Sequence, residues 1–194
     1  MKLKLLPKGK RLLITGIPRA GKTTLAKKLA EAIGGIYISI DDIRKELKSD
    51  PKYTDAVNFY RNQDKKTYYM QTSYDQQWKN LVTQSEKLWD GILQKINSFS
   101  GEEKPIIFEG VNLLPHLIYK DLDFPVIVKI GATFQEILER NEREPRWGST
   151  ELELQSEAFF LGERPHYKAE AKKYSYPVFE TSDEAFKKAF KILG

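Results

Sequence analysis

Residues 11–24 read RLLITGIPRAGKTT, and residues 25–35 continue as LAKKLAEAIGG. The apolar run Arg11 to Thr15 stops at Gly16, as a buried parallel strand would. From Lys22 onward, Leu25, Ala26, Leu29, Ala30 and Ile33 recur at intervals of three and four, the stripe of an amphipathic helix. Gly34-Gly35 ends it. Between strand and helix, Gly16, Gly21, Lys22 and Thr23 keep the spacing of a phosphate-binding loop (P-loop), Gly-x-x-x-x-Gly-Lys-Thr. Glycine lets successive backbone N–H groups turn inward as an anion nest, and the helix adds its positive end. Gly16, Ile17, Pro18, Arg19, Ala20, Gly21, Lys22, Thr23 and Thr24 are therefore expected to hold the phosphates of a nucleotide. Lys22 would reach the β- and γ-phosphates, and the Thr23 hydroxyl would ligate Mg²⁺. Arg19 is expected to point to solvent, the alternative being an acceptor's anionic group.

The rest of the composition narrows the class. The chain has 194 residues, 40% hydrophobic and 30% charged, which fits one globular domain. It lacks the run of about 18 apolar residues that a membrane-spanning helix needs. The basic start MKLKLLPKGK has neither a long apolar core nor a small-residue cleavage site, so no secretion signal is expected. Cysteine is absent, which excludes disulfides and thiolate metal sites and suits the cytoplasm. A net charge of +5 favours anionic ligands, nucleotides or nucleic acid, although most charges alternate in sign as on a solvated face.

The pattern of short apolar runs separated by helices predicts an α/β fold with a parallel sheet of five strands. The strands are expected at Arg11–Thr15, Ile36–Ile40, Pro105–Phe108, Val126–Ile130 and Pro177–Phe179. Helices are expected at 22–33, from Asp41 as N-cap to the Asp50-Pro51 stop, across 52–98, at Phe134–Glu142, across Glu151–Tyr174 with a bend at Pro165, and at Asp183–Leu193. Ser98 to Lys104 reads as a loop.

The run YISIDDIRKEL puts Asp41 and Asp42 at the carboxyl end of the second strand, the edge on which the P-loop also lies. A hydroxyl acceptor needs a carboxylate to orient it and take its proton. Asp41, Asp42 and Arg44 are the candidates on the acceptor side, and Arg44 shares a helix face with Asp41. A P-loop followed by a strand ending in Asp-x-x-Arg resembles a group of adenylate-kinase-like and polynucleotide-kinase-like P-loop kinases. The group includes phage-type polynucleotide 5′-kinases, adenylylsulfate kinase and seryl-tRNA kinases. The resemblance is clear over residues 11–47. It implies a three-layer sheet of order 2-3-1-4-5, ATP and Mg²⁺ as cofactors, Asp41 as acceptor base and Arg44 as a substrate contact.

PIIFEGVNLLP, residues 105–115, carries a third landmark. Glu109 ends an apolar strand, where P-loop proteins place an acid behind the metal's water shell. Phe-Glu-Gly here looks like uridine kinases, and Glu-Gly-Val with Leu-Pro downstream is similar to 2-phosphoglycerate kinases. Many polynucleotide kinases carry Asp-x-Asn instead. The run ERNEREPRWGST holds Arg140, Arg143 and Arg146 after the fourth strand. Small kinases that the chain resembles bring arginines there on a lid, expected here at 143–150, to balance the charge on the moving phosphoryl group. Trp147 would stack on a base or pack in the loop. Arg164 and Lys168 are further candidates for the far side. His116 and His166 have no constellation suggesting a metal or a triad and read as surface residues. Tyr53, Phe59, Tyr60, Tyr68 and Tyr69, between strands two and three, are candidates for an acceptor pocket.

These readings converge on one domain and an ATP-dependent, Mg²⁺-requiring kinase that phosphorylates a hydroxyl of a metabolite, nucleoside or nucleotide. Lys22, Asp41, Arg140 and Arg143 would be catalytic, Asp41, Asp42, Arg44 and Glu109 substrate-facing, and Thr23 and Glu109 metal-holding. The alternatives are a polynucleotide 5′-hydroxyl kinase and an NTP-hydrolysing regulatory or toxin-like protein. No Asn-Lys-x-Asp guanine-reading motif is present. The oligomeric state is not readable from these residues.

Overall fold

The computed structural model describes residues 9–145 and 150–193. Five strands form one parallel sheet: β1 (Arg11–Thr15), β2 (Ile36–Ser39), β3 (Ile106–Glu109), β4 (Val126–Lys129) and β5 (Val178–Phe179). Their order is β2-β3-β1-β4-β5, the three-layer P-loop NTPase arrangement expected from the sequence. β1 lies between β3 and β4, so the chain switches direction across the sheet beside the loop that follows β1. In open α/β sheets, ligands bind at such a switch point.

Alternation along the central strands explains why both faces are covered. Leu12 and Ile14 of β1, with Ile107 and Ile127, pack against Leu25, Ala26 and Leu29 of α1 (Lys22–Ala32) and Ala185, Ala189 and Leu193 of α10 (Ser182–Leu193). Leu13, Ile106, Phe108, Val126 and Val128 face the opposite layer. That layer contains Leu88, Ile92 and Ile96 of the long helix α5 (Tyr74–Ser98), Leu117 and Ile118 of α6 (Pro115–Asp121), and Tyr167 and Ala171 of α9 (Arg164–Lys173). Arg11 is buried at the start of β1. Its guanidinium donates to the carbonyls of Phe99 and Glu102 at 2.7 and 2.8 Å, closing the carboxyl end of α5.

Four local readings change. β2 ends at Ser39, and Ser39 rather than Asp41 caps α2 (Ile40–Leu47), its hydroxyl accepting from the N–H of Asp42 at 3.3 Å. The 52–98 stretch is three helices: α3 (Pro51–Asn58), α4 (Lys65–Gln71) and α5. Each has its own cap, Asp50, Asp64 and Ser73, so Asp50-Pro51 starts a helix as well as stopping one. α6 was not expected; Pro115 opens it in the first turn, where a missing N–H costs nothing. α7 runs Phe134–Arg143 and α8 Leu152–Glu157. The irregularity in the long segment after α8 is a π-helical turn, Ala158–Glu163, and Pro165 sits harmlessly in the first turn of α9.

Neither histidine is a simple surface residue. His166 stacks on Trp78 at 5.1 Å, with Nε2 3.1 Å from Asp75. His116 is half-buried between helices: Nδ1 lies 3.1 Å from Glu170 of α9 and Nε2 3.6 Å from Glu86 of α5. The hydrogen bond to Glu170 raises the His116 pKa, against the opposing effect of burial. A group whose folded pKa is raised adds stability that is complete below its unfolded value, about 6.5, and lost as pH climbs through the folded one. The melting temperature of the wild type should therefore fall across that interval relative to His116→Gln, read by calorimetry over a pH series. Parallel profiles would remove the effect.

Candidate functional site

The loop between β1 and α1 has the backbone its glycines predict. Gly16 has φ +125° and Gly21 φ +84°, both in the left-handed region. Arg19 also adopts positive φ, at 62°, which the sequence pattern did not signal. Gly16 is required for a second reason: a Cβ there would lie 1.9 Å from the Lys129 carbonyl oxygen of β4. Ile17 and Ala20 turn their side chains into the core, so they serve the loop through the backbone alone. Lys22 is buried, and its Nζ donates to the Ile17 carbonyl across the loop at 2.6 Å.

A cavity of about 800 Å³ opens over the carboxyl edge of the sheet. Gly21, Lys22, Thr23 and Thr24 line it from the loop, Asp41 and Arg44 from α2, Glu109 from β3, and Arg140 and Arg143 from α7. Arg19, Val57, Tyr60, Arg61, Gln84 and Val111 also line it. Thr23 Oγ1 donates to Glu109 Oε2 at 3.0 Å, and the Tyr37 hydroxyl donates to the same oxygen at 3.1 Å. Burial, aided by the Glu109 charge, pushes the Tyr37 phenol up to about 12, so it remains a proton donor. Tyr37 was missed from the sequence. In the register that pairs Ser39 with Glu109, Tyr37 pairs with Ile107, on the same face, but that requires knowing that β2 and β3 are neighbours.

Asp41 and Arg44 form an ion pair at 3.2 Å. Arg44 also donates to Asn112 Oδ1 at 3.3 Å. Fully buried Asn112 donates in turn to Ser85 Oγ at 2.9 Å and Gln84 Oε1 at 3.3 Å. The Asp41 side chain is 33% exposed. Asp42, one residue on, is not in the cavity: its side chain is 66% exposed and holds Lys45 at 2.6 Å. Asp41 and Asp42 are successive residues of α2, about 100° apart around its axis, and only Asp41 is turned to the cavity.

The arginines are unequal. The Arg19 side chain is only 13% exposed, and it lines the cavity rather than reaching out into solvent. It donates to Asn141 Oδ1 at 2.8 Å and pairs with Glu144 at 3.1 Å, tying the loop to the end of α7. Arg140 donates to the Arg19 carbonyl and pairs with Glu136 at 3.3 Å. Arg143 makes no ion pair with any described residue. Arg146, Trp147 and Gly148 lie outside the described residues. Arg164 and Lys168 do not line the cavity; both reach Glu180, at 2.7 and 4.0 Å, and join α9 to the end of β5.

The aromatic cluster is mostly structural. Phe59, Tyr60, Tyr68 and Tyr69 stack edge to face at 5.0 to 6.4 Å, and Tyr53 is buried in the core. Only Tyr60 among them lines the large cavity. Lys129, also missed, is buried with Nζ donating to the carbonyls of Gly131 and Glu180, both at 2.7 Å. Burial lowers its pKa to about 8. Among the described residues no group of three or more His, Cys, Asp or Glu forms a metal cluster. None of the described helices is long and apolar enough to cross a membrane.

The chain belongs to the AAA domain family, whose model matches residues 12–148. Among solved structures, it resembles a shikimate kinase from Acinetobacter baumannii in complex with shikimate. The TM-score is 0.55 at 13% identity, covering 95% of this chain and 92% of that one. A sugar kinase from Janibacter sp. HTCC2649, in an unliganded structure, gives a TM-score of 0.50 at 14% identity, covering 95% and 94%. At such identities the likeness is one of fold, the kinase-like P-loop NTPase fold. No curated protein matches the chain significantly.

The backbone constraint at Gly16 is directly measurable. Gly16→Ala should cost well over about 2 kcal/mol, because a strained φ and a clash with fixed backbone combine. Gly34→Ala, at φ +62° with nothing within 4 Å, should cost only about 1 kcal/mol. Chemical denaturation of the two variants gives the comparison, and equal midpoints would refute it.

Proposed function

We propose that this AAA domain family member is a phosphotransferase that moves the γ-phosphoryl group of Mg·ATP to a hydroxyl of a small metabolite, nucleoside or nucleotide. The observation that carries the reading is the shared cavity: Asp41 of α2 lines the same space as Lys22 and Thr23 of the phosphate loop. A carboxylate on the far side of a phosphate cradle has chemical use when a hydroxyl must be activated there. A protein that only hydrolyses nucleotide has no need of a walled space beyond the phosphate.

The loop N–H groups and the start of α1 would hold the β-phosphate. Lys22 would exchange its bond to the Ile17 carbonyl for a phosphate oxygen, which removes no partner it cannot replace. The Thr23 hydroxyl and Glu109 carboxylate, 3.0 Å apart, suit Mg²⁺, a hard cation that takes oxygen donors and keeps several waters. Bound there, the ion would neutralise phosphate charge; Glu109 would act through its waters, with Tyr37 fixing the carboxylate.

Asp41 would accept the proton of the acceptor hydroxyl. That oxygen bonds to the γ-phosphorus while the bond to the β–γ bridging oxygen breaks, and ADP leaves. Arg44 would keep Asp41 ionised and oriented, and the buried Asn112–Ser85 contact would keep Arg44 in place. Of the arginines, Arg143 is the readiest to meet charge on the moving group. Arg140 would contribute from a position fixed on the loop carbonyl.

Asp41→Asn tests this reading. Transfer should fall by at least ~10², with ATP binding nearly intact. ADP release would be followed with a pool of nucleosides, nucleotides and sugars, and ATP affinity by titration. Undiminished transfer in the variant would take Asp41 out of its role. ATP hydrolysis indifferent to every acceptor would favour an NTP-hydrolysing regulatory protein.

A further inference from the structure

The charges around the cavity do not cancel evenly, and the imbalance says something about the acceptor. Most of the cations are already committed. Arg19 pairs with Glu144, Arg140 with Glu136, Arg44 with Asp41 and Lys45 with Asp42. Lys22 bonds within the loop, and Lys27 lies over the Tyr37 ring at 5.6 Å. Arg143 stands on α7, the helix that Arg140 ties to the phosphate loop. Arg61 is different. It belongs to the connection between α3 and α4, lines the same cavity, and makes no ion pair with any described residue.

Val57, Val111 and Tyr60 line the same cavity and give it apolar surface that suits a carbon skeleton. A second cavity, which shares Arg44 and Tyr60 with the first and is lined also by Tyr68, Tyr69 and Leu81, measures about 20 Å³, room for one water. An acceptor in the large cavity therefore shares its space with Asp41, this apolar surface and Arg61. A guanidinium that faces a ligand space without a carboxylate partner favours an oxyanion, which it can grip with two parallel N–H bonds.

We propose that the acceptor is a small hydroxylated anion, its carboxylate or phosphate held by Arg61 while its hydroxyl faces Asp41. This rests on the phosphotransferase reading for the hydroxyl and on Arg61 alone for the anion. It deepens the function by excluding neutral sugars and unphosphorylated nucleosides as preferred acceptors. The apolar wall between the two groups would set the spacing of hydroxyl and anion.

Two measurements separate this inference from the reading beneath it. In the first, ADP release is followed with hydroxycarboxylates and phosphorylated alcohols, with matched neutral polyols and nucleosides, and with 5′-hydroxyl oligonucleotides. The small anions should be preferred. Arg61→Ala should raise the KM for the anionic acceptor about tenfold or more, well beyond any change in the KM for ATP, and Arg61→Lys should recover part of the loss. Phosphorylated alcohols preferred over hydroxycarboxylates, or the reverse, would identify which oxyanion Arg61 reads. Equal use of neutral acceptors, preference for the oligonucleotide, or an unchanged KM in Arg61→Ala would overturn the proposal. In the second, inorganic phosphate is titrated into protein saturated with Mg²⁺ and a non-hydrolysable ATP analogue, so that the loop is blocked. One phosphate should bind, more weakly in Arg61→Ala. No binding, or binding indifferent to Arg61, overturns the proposal. Phosphate binding that depends on Arg61, together with no acceptor turnover at all, would leave the anion site standing and sink the phosphotransferase reading.

Discussion

The approach of Gly16 to the carbonyl of Lys129 sets the geometry of everything above the sheet. β1 must leave the sheet between two neighbours, and the side toward β4 has no room for a Cβ, which would stand 1.9 Å from that oxygen. The chain therefore turns at φ +125°, outside the reach of ordinary residues, and starts the loop with its N–H groups curling inward. Lys129 fixes the other end of the same contact. Its ammonium is buried against the carbonyls of Gly131 and Glu180, so β4 and β5 end in a connected edge rather than in separate loops. A buried lysine normally destabilises through desolvation. Here two carbonyl oxygens at 2.7 Å offset that cost, and the position of β4 against Gly16 is held by polar contacts as well as packing.

The wall facing the loop is held by a different device. Asp41 stands in the first turn of α2, where the helix dipole favours a carboxylate, and Arg44 meets it one turn later. Arg44 would be costly to bury alone. Asn112 accepts from it and passes the demand inward to Ser85 and Gln84 of α5, while Gln84 donates to the Ala56 carbonyl of α3 at 2.8 Å. One hydrogen-bonded chain thus links α2, the end of β3, α5 and α3. Every member has a partner, which is the condition under which a buried polar network rigidifies instead of weakening a core.

The central sheet was legible because each strand is a short apolar run, and because the glycine-lysine-threonine spacing has a single mechanical meaning. The order 2-3-1-4-5 came from resemblance, since no local pattern states which strands are neighbours. The same gap hid Tyr37, whose contact with Glu109 depends on the β2–β3 pairing. Asp41 lies on the sheet edge expected from sequence, but the helix that carries it starts at Ile40 and is capped by Ser39 rather than Asp41. Both residue types are good caps. The tyrosines between residues 53 and 69 read as a pocket because irregular spacing resembles a binding surface. In three dimensions they satisfy one another edge to face, which spacing along one chain cannot reveal.

The arginines show most clearly what a linear motif conceals. In sequence, Arg19 belongs to the phosphate loop and Arg140 and Arg143 to a basic run far downstream, so the latter two look equivalent. In the fold, Arg19 and Arg140 are one reciprocal contact. Arg19 reaches across to Asn141 and Glu144, and Arg140 returns to the Arg19 carbonyl. Asn141 continues the link to Ser156 of α8 at 2.9 Å, so both stems of the 144–151 segment are anchored beside the loop. The positive φ of Arg19 acquires a reason in this light, since the conformation carries its side chain toward α7. Both side chains, Arg19 and Arg140, hold the frame and line the cavity at once. Arg143, one turn beyond Arg140, lines the same cavity and makes no ion pair with any described residue.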